Sequence, residues 1–277
     1  MRQGSEPMLR GIFVPLITPI REDGSVCAAS VARLIERIGA SSAGFVPCLT
    51  TGEGWRLTDA QWHDMVRYTL RHAGDKPVLA GIEERTTNRA VARVRQASVL
   101  GCRAVIAAKP FGAAVTQDEI IEHYRRLASE SDLDVLAYNE SWLTENVATK
   151  TTLSSLTTIP RLVAIKESTG VASTTRWMAE HRSELPALFQ GTETLLQISA
   201  GFDGFIIAAA NLLPELCHRL YSAPDVAAFR KFRALCRMFG LLSDHWIARI
   251  KTELHILDVL GTAALVGSDG EALKRGA

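Results

Sequence analysis

Short apolar runs alternate with longer stretches whose apolar residues recur three and four apart along this 277-residue chain. Eight runs have strand character, at 11–18, 44–49, 78–81, 104–108, 135–138, 163–166, 188–191 and 204–208. Between them, Val31, Leu34, Ile35 and Ile38 share one face of a 3.6-residue period, as an amphipathic helix requires. Thr58 with Gln61 three positions on has the form of a capping box, the threonine as N-cap and the glutamine at N3. Eight strand–helix units with short connections predict a (β/α)8 TIM barrel. Beyond the eighth run, 226–239 and 246–260 read as additional C-terminal helices. The pattern divides into a barrel over 1–215 and a helical extension of the same domain over 216–277. No internal repeat or low-complexity linker marks a second domain, and barrels of this length are ordinarily one.

The apolar run at 162–166 ends in a lysine. Read as a strand, it sets Leu162, Ala164 and Lys166 on one face and Val163 and Ile165 on the other. An amine at the C-terminal end of such a strand loses hydration, which lowers its pKa and favours the neutral, nucleophilic form. At the ordinary pKa of about 10.4 only roughly one amine in a few thousand is neutral at pH 7. The alternative is a surface lysine just past a strand. Two other runs argue for chemistry. That at 133–139 carries Leu136 and Tyr138 on one face, and that at 44–53 leads into Thr50, Thr51, Gly52 and Glu53. The three runs thus end in an amine, a phenol, and hydroxyls with backbone donors, the groups an aldolase for a 2-oxo acid needs.

Composition narrows the field. Hydrophobic residues make up 47% of the chain, enough for one large core, and 31 basic against 30 acidic residues leave a net charge of +1. That balance offers no footprint for nucleic acid or an acidic membrane surface. Five scattered cysteines without a CxxC pair argue for a reducing compartment, against a disulfide framework and against a zinc site. The first residues are polar with no apolar segment behind them, and no apolar run approaches about 18 residues, so a cytoplasmic protein is expected. The seven histidines form no metal-ligand spacing; His63, His72, His123, His181 and His218 read as helix-surface residues, and no metal is expected.

Taken together, the motifs resemble the dihydrodipicolinate synthase/N-acetylneuraminate lyase family. Its signatures are Gly-Thr-Thr-Gly-Glu, Tyr-Asn-x-Pro and Ile-Lys-Glu/Asp-x-Ser/Thr, in that order. Here they align with Leu49 to Glu53, Tyr138 to Ser141 and Ile165 to Thr169. The opening Gly11 to Ile20 with Asp23-Gly24, the later Gly191-Thr192-Glu193, the stretch Ala200 to Ile206, and Asn211 to Pro214 extend the likeness over nearly the whole chain. The resemblance implies a class I aldolase or lyase with no cofactor beyond a covalent imine on Lys166. In that chemistry Lys166 attacks the ketone of pyruvate or another 2-oxo acid, forming a carbinolamine and then an imine. The iminium is an electron sink for making or breaking a bond to an aldehyde partner. By the same resemblance Tyr138 shuttles protons and Thr50 relays them. Thr51 and Gly52, with backbone amides, hold the carboxylate, while Ile206, Glu140 and Leu143 contact substrate. The other reading of Thr50 and Thr51 is a strand-exit turn capping its own backbone. Homo-oligomers, tetramers or dimers, are implied as well.

The departures bear on substrate. Leu143 stands where dihydrodipicolinate synthases carry an arginine for the carboxylate of aspartate semialdehyde, and leucine donates no hydrogen bond. Lys109-Pro110-Phe111-Gly112 stands where that enzyme has Pro-Tyr-Tyr, whose second tyrosine reaches a neighbouring subunit's site; the relay it completes is here broken or rerouted. Glu83 and Glu84 follow the third run, where small residues are usual; they either face the mouth or form a solvated loop with Arg85. Trp55 and Trp142 either stack on a ring or pack. These departures predict an aldolase other than a true dihydrodipicolinate synthase, one preferring a neutral, hydroxylated, aromatic or cationic aldehyde. A 2-keto-3-deoxy sugar acid dehydratase/aldolase and a non-catalytic binding or regulatory barrel are the alternatives.

Overall fold

The computed structural model describes residues 9–267 and the backbone of Ala272–Leu273. Eight strands run parallel: β1 (Gly11–Pro15), β2 (Gly44–Val46), β3 (Leu79–Ile82), β4 (Ala104–Ala108), β5 (Asp134–Asn139), β6 (Leu162–Glu167), β7 (Ala187–Gln190) and β8 (Gly204–Phe205). Their order is β2-β1-β8-β7-β6-β5-β4-β3, and a parallel bridge from Phe45 to Val78 brings the two ends of the sheet together. Helices α1 (Ala28–Gly39), α2 (Asp59–His72), α3 (Thr87–Leu100), α4 (Gln117–Ser129), α5 (Lys150–Leu156) and α6 (Ala172–Glu180) alternate with the strands. The fold is the expected (β/α)8 TIM barrel.

Strand alternation sorts the core into two clusters. Phe13, Ile106, Leu136, Ala164, Phe189 and Ile206 fill the barrel interior. Val105, Ala107, Ile165 and Leu188 point outward against the helices, among them Val31, Leu34, Ile35 and Ile38 of α1. The capping box of α2 forms as the sequence predicts, Thr58 accepting from the Gln61 amide and Gln61 from that of Thr58.

The first and last strands of the barrel are shorter than their apolar runs. After β1, Leu16 still donates to the Val46 carbonyl, but the next amide, Ile17, is taken by the Asn211 side chain. After β8, the chain turns at Ala208–Asn211 into a short 3-10 segment. In β6 the pairing with β5 slips, from Val135 opposite Leu162 to Leu136 opposite Ala164. Val163 is the extra residue of this bulge, which moves Leu162 to the outer cluster, so Leu162 does not share the face of Lys166 as simple alternation predicts. His123 also departs from expectation. It is buried in α4, its ring bonded to the Ala108 carbonyl and the Thr87 hydroxyl.

After α7 (Pro214–Ser222) come α8 (Val226–Met238) and α9 (Trp246–Ile256), then the paired strands β9 (Leu265–Val266) and β10 (Ala272–Leu273). The helix α9 ends before the predicted 260 because Asp258 is left-handed (φ 56°) and Val259 donates back to the Leu254 carbonyl. Lys251 of α9, fully buried, pairs with Glu53 and donates to the Ala264 carbonyl, while Glu53 also accepts from the Val266 amide. The C-terminal segment is thereby tied to the turn that follows β2. No helix among the described residues is long and apolar enough to cross a membrane.

Candidate active site

The C-terminal ends of β2, β5, β6, β7 and β8 converge on one cavity. Lys166 is the inward residue after Ala164 on β6, and Tyr138 the inward residue after Leu136 on β5, directly opposite it in register. The Lys166 Nζ lies 4.0 Å from the centroid of the Tyr138 ring. Both side chains are buried. Loss of hydration lowers the Lys166 pKa to about 8, against the opposing pull of Glu83, Glu193 and Glu140. Burial likewise pushes the Tyr138 phenol well above its ordinary value.

Next to the lysine, Glu167 points the other way. It accepts from Asn139 Nδ2 (2.7 Å) and from the Thr169 amide (2.8 Å), clamping the ends of β5 and β6 together. The room for Lys166 comes from Gly191. A Cβ there would lie 2.5 Å from the Lys166 Cε and 1.9 Å from the Ser168 Oγ.

After β2, Thr50, Thr51 and Gly52 form a single 3-10 turn. Leu49, in place of the family's glycine, is buried inside the barrel. The Thr50 Oγ1 is 3.1 Å from the Tyr138 hydroxyl and also hydrogen-bonds the Glu83 carboxyl. Glu83 follows β3, where Leu79 faces inward and Ala80 and Ile82 outward, so strand alternation turns Glu83 inward. Burial raises its pKa to about 8. Glu84 turns away and pairs with Arg89 and Arg93, not with Arg85.

A cavity of about 190 Å³ is lined by Thr50, Thr51, Tyr138, Glu140, Lys166 and Ile206. These six candidates come together as the motifs predict; Gly52 and Leu143 do not line it. Gly52 supports the turn from behind, its carbonyl accepting from the Thr18 hydroxyl (2.6 Å). Leu143 lines an adjoining cleft of about 330 Å³ with Trp55, Arg85 and Phe111; Trp142 borders both spaces. The Glu140 carboxylate is committed to its own loop, accepting from the Leu143 (2.8 Å) and Thr144 (3.1 Å) amides. Lys109 is fully buried and donates to the Glu140 carbonyl, outside the lining of the cavity. Glu193 and Ser168 line the cavity without having been singled out. The signal for both lay in the motifs themselves, two residues after Gly191 and after Lys166. Among the described residues no three metal-ligating side chains cluster.

A buried amine of lowered pKa beside a phenol–hydroxyl–carboxyl chain can add to a carbonyl and move the protons that the addition requires. The comparisons with known proteins agree. The pattern of the Dihydrodipicolinate synthetase family matches residues 8–264. The chain belongs to that family. Its members are lyases of the class I aldolase type that act on pyruvate through a lysine Schiff base and use no external cofactor. The chain is therefore an enzyme, and the non-catalytic alternative falls. A 4-hydroxy-tetrahydrodipicolinate synthase of Erythrobacter litoralis is 32% identical over 84% of this chain and 82% of its own. One of Phenylobacterium zucineum is 31% identical over 79% and 75%. A dihydrodipicolinate synthase of Acinetobacter baumannii, solved with pyruvate, shares the fold with a TM-score of 0.83 at 23% identity, covering 94% of this chain and 92% of that one. The expectation of an activity other than dihydrodipicolinate synthase is not borne out by these relatives, whose names carry that activity.

Proposed function

We propose that the chain joins pyruvate to an aldehyde through an imine on Lys166. The observation that carries this reading is the buried Lys166 amine of lowered pKa over the Tyr138 ring, in a cavity sized for a small 2-oxo acid. Tyr138 and Thr50 serve as the proton path. The pyruvate carboxylate meets the Thr50–Thr51 turn, whose first amides have no acceptor within the turn, with Ile206 as the apolar wall. Borohydride with pyruvate is expected to add one adduct per chain on Lys166, read by intact mass. Lys166→Ala and Lys166→Arg should add none, the latter because guanidinium stays protonated. An adduct that persists in either variant would place the imine elsewhere.

For the aldehyde, the relatives' names make aspartate semialdehyde the first partner to test. Leu143 offers its carboxylate nothing, but Arg85 lines the same cleft, its guanidinium 5.7 Å from the Phe111 ring. Arg85→Ala should raise KM for the semialdehyde about tenfold or more, the usual worth of a charge-assisted pair, and leave pyruvate trapping unchanged. An equal KM in a coupled assay would remove Arg85 from the acceptor site.

The same reading makes the protein a cytoplasmic homo-oligomer, supported by its five free cysteines and by its family. It treats 216–277 as part of the barrel's own domain, supported by the buried Lys251–Glu53 pair.

A further inference from the structure

The departure at Gly112 removes the family's cross-subunit tyrosine, and the loop after β3 supplies an unused acid, Glu83, bonded to Thr50 behind the cavity wall. We infer that Glu83 is the terminal proton donor of the active-site relay, working through Thr50 and Tyr138 within one chain, so that no side chain from a second subunit is needed to complete it. The inference rests on the Schiff-base reading of Lys166.

Glu83 has a geometry that a structural role leaves unexplained. It is buried, its Oε1 bonds the Thr50 hydroxyl, and its Oε2 has no hydrogen-bond partner; the Trp55 amide favours its charged form without closing a bond. A buried carboxylate left half-satisfied costs far more than a half-satisfied carboxylic acid. Glu84, one residue on, takes both nearby arginines, so Glu83 holds no ion pair with them. Two glycines bring the turn against it. A Cβ at Gly81 would meet Cys48 and Leu49 backbone within 2.6 Å, and one at Gly54 would lie 3.0 Å from the Glu83 Oε2. The other ionisable groups acting on Glu83 are Glu140 and Tyr138 at the end of β5, Lys166 on β6 and the Cys48 thiol after β2.

The proton balance favours an acid at this place. When the carbinolamine on Lys166 collapses, the nitrogen lone pair forms the C=N bond and the C–O bond breaks. The departing oxygen takes a proton from Tyr138 and leaves as water. Tyr138 is refilled from Thr50, and Thr50 from Glu83, which ends as a carboxylate. A positive iminium and a negative carboxylate are made together, so the net charge of the site does not change. Without Glu83 the charge would stop on Tyr138, a phenol that burial makes far weaker as an acid. Hydrolysis of the product imine returns the proton to Glu83.

The test is the rate at which pyruvate becomes trappable by borohydride, followed across pH in wild type, Glu83→Gln and Thr50→Val. Wild type should give a bell. It rises as Lys166 loses its proton and falls as Glu83 loses its own, both near pH 8. Glu83→Gln keeps the shape but has no proton to give; it should form the same final adduct roughly 10²-fold more slowly and lose the falling limb, since a positioned acid is worth that much or more. Thr50→Val, which cuts the middle link, should lose the same limb, and it decides the matter if Glu83→Gln does not fold. A falling limb retained in either folded variant, or Glu83→Gln at the wild-type rate, overturns the relay while leaving the imine intact. A wild-type protein that traps no pyruvate overturns the Schiff-base reading and the relay with it.

Discussion

At the scale of single residues, the cavity depends as much on what is missing as on what is present. Gly191 is the clearest case, because any side chain there collides with Ser168 and with the stem of Lys166. Gly191→Ala should therefore misplace the amine and slow pyruvate trapping by about 10²-fold, the cost of an ångström of misalignment. Thermal unfolding of the same variant should report overpacking of about 1–3 kcal/mol, and trapping at the wild-type rate would mean the strand end simply yields. The lysine, tyrosine and threonines were legible because each closes an apolar run with a group that does not belong in one. Glu83 was only half legible. Its inward direction follows from counting in twos from Leu79, but two adjacent glutamates look alike until the arginines that claim Glu84 are seen. Glu140 lines the cavity, but the two amides of its own loop that its carboxylate accepts have no signal in the sequence.

Among the elements, strands and helices followed from periodicity, and the misreadings came where a side chain or an extra residue replaces a ladder bond. The bulge at Val163 and the Asn211 side chain on the Ile17 amide have no local signature in the runs they interrupt. The burial of His123 was equally hidden, since its helical face is set by contacts with β4 and α3. That burial has a measurable consequence. Lost hydration, with Lys109 and Arg126 nearby, lowers the His123 pKa to about 4, against about 6.5 in an unfolded chain. The unfolded state then takes up a proton first as pH falls, so stability should decline from about pH 6.5 down to about 4 and level off below. The full effect of this one group is about 3 kcal/mol at most, taking 1.36 kcal/mol for each pKa unit. Chemical denaturation of wild type and His123→Gln at pH 7 and pH 4.5 measures it: the variant should start less stable and lose less on acidification. Equal losses would assign the acid sensitivity to other groups.

Across the whole molecule, barrel and family were readable because eight runs and three motifs had to fall in one order. The acceptor was not, since it depends on loops whose alignment shifts by single residues; Leu143 proved to lie in an adjoining cleft shared with Arg85. Assembly is likewise a property of surfaces that periodicity does not describe. A homo-oligomer is the expected result of ultracentrifugation at micromolar concentration, and a monomer with undiminished pyruvate trapping would separate assembly from chemistry. The mouth of the barrel also holds Trp142, 69% exposed, with its ring edge-on to Trp55 at 5.3 Å. An indole in that position senses both water and whatever enters either space it borders. The enzyme thus carries its own optical reporter, whose emission should shift to the blue when pyruvate displaces solvent from the chamber below and further when an aldehyde fills the rim.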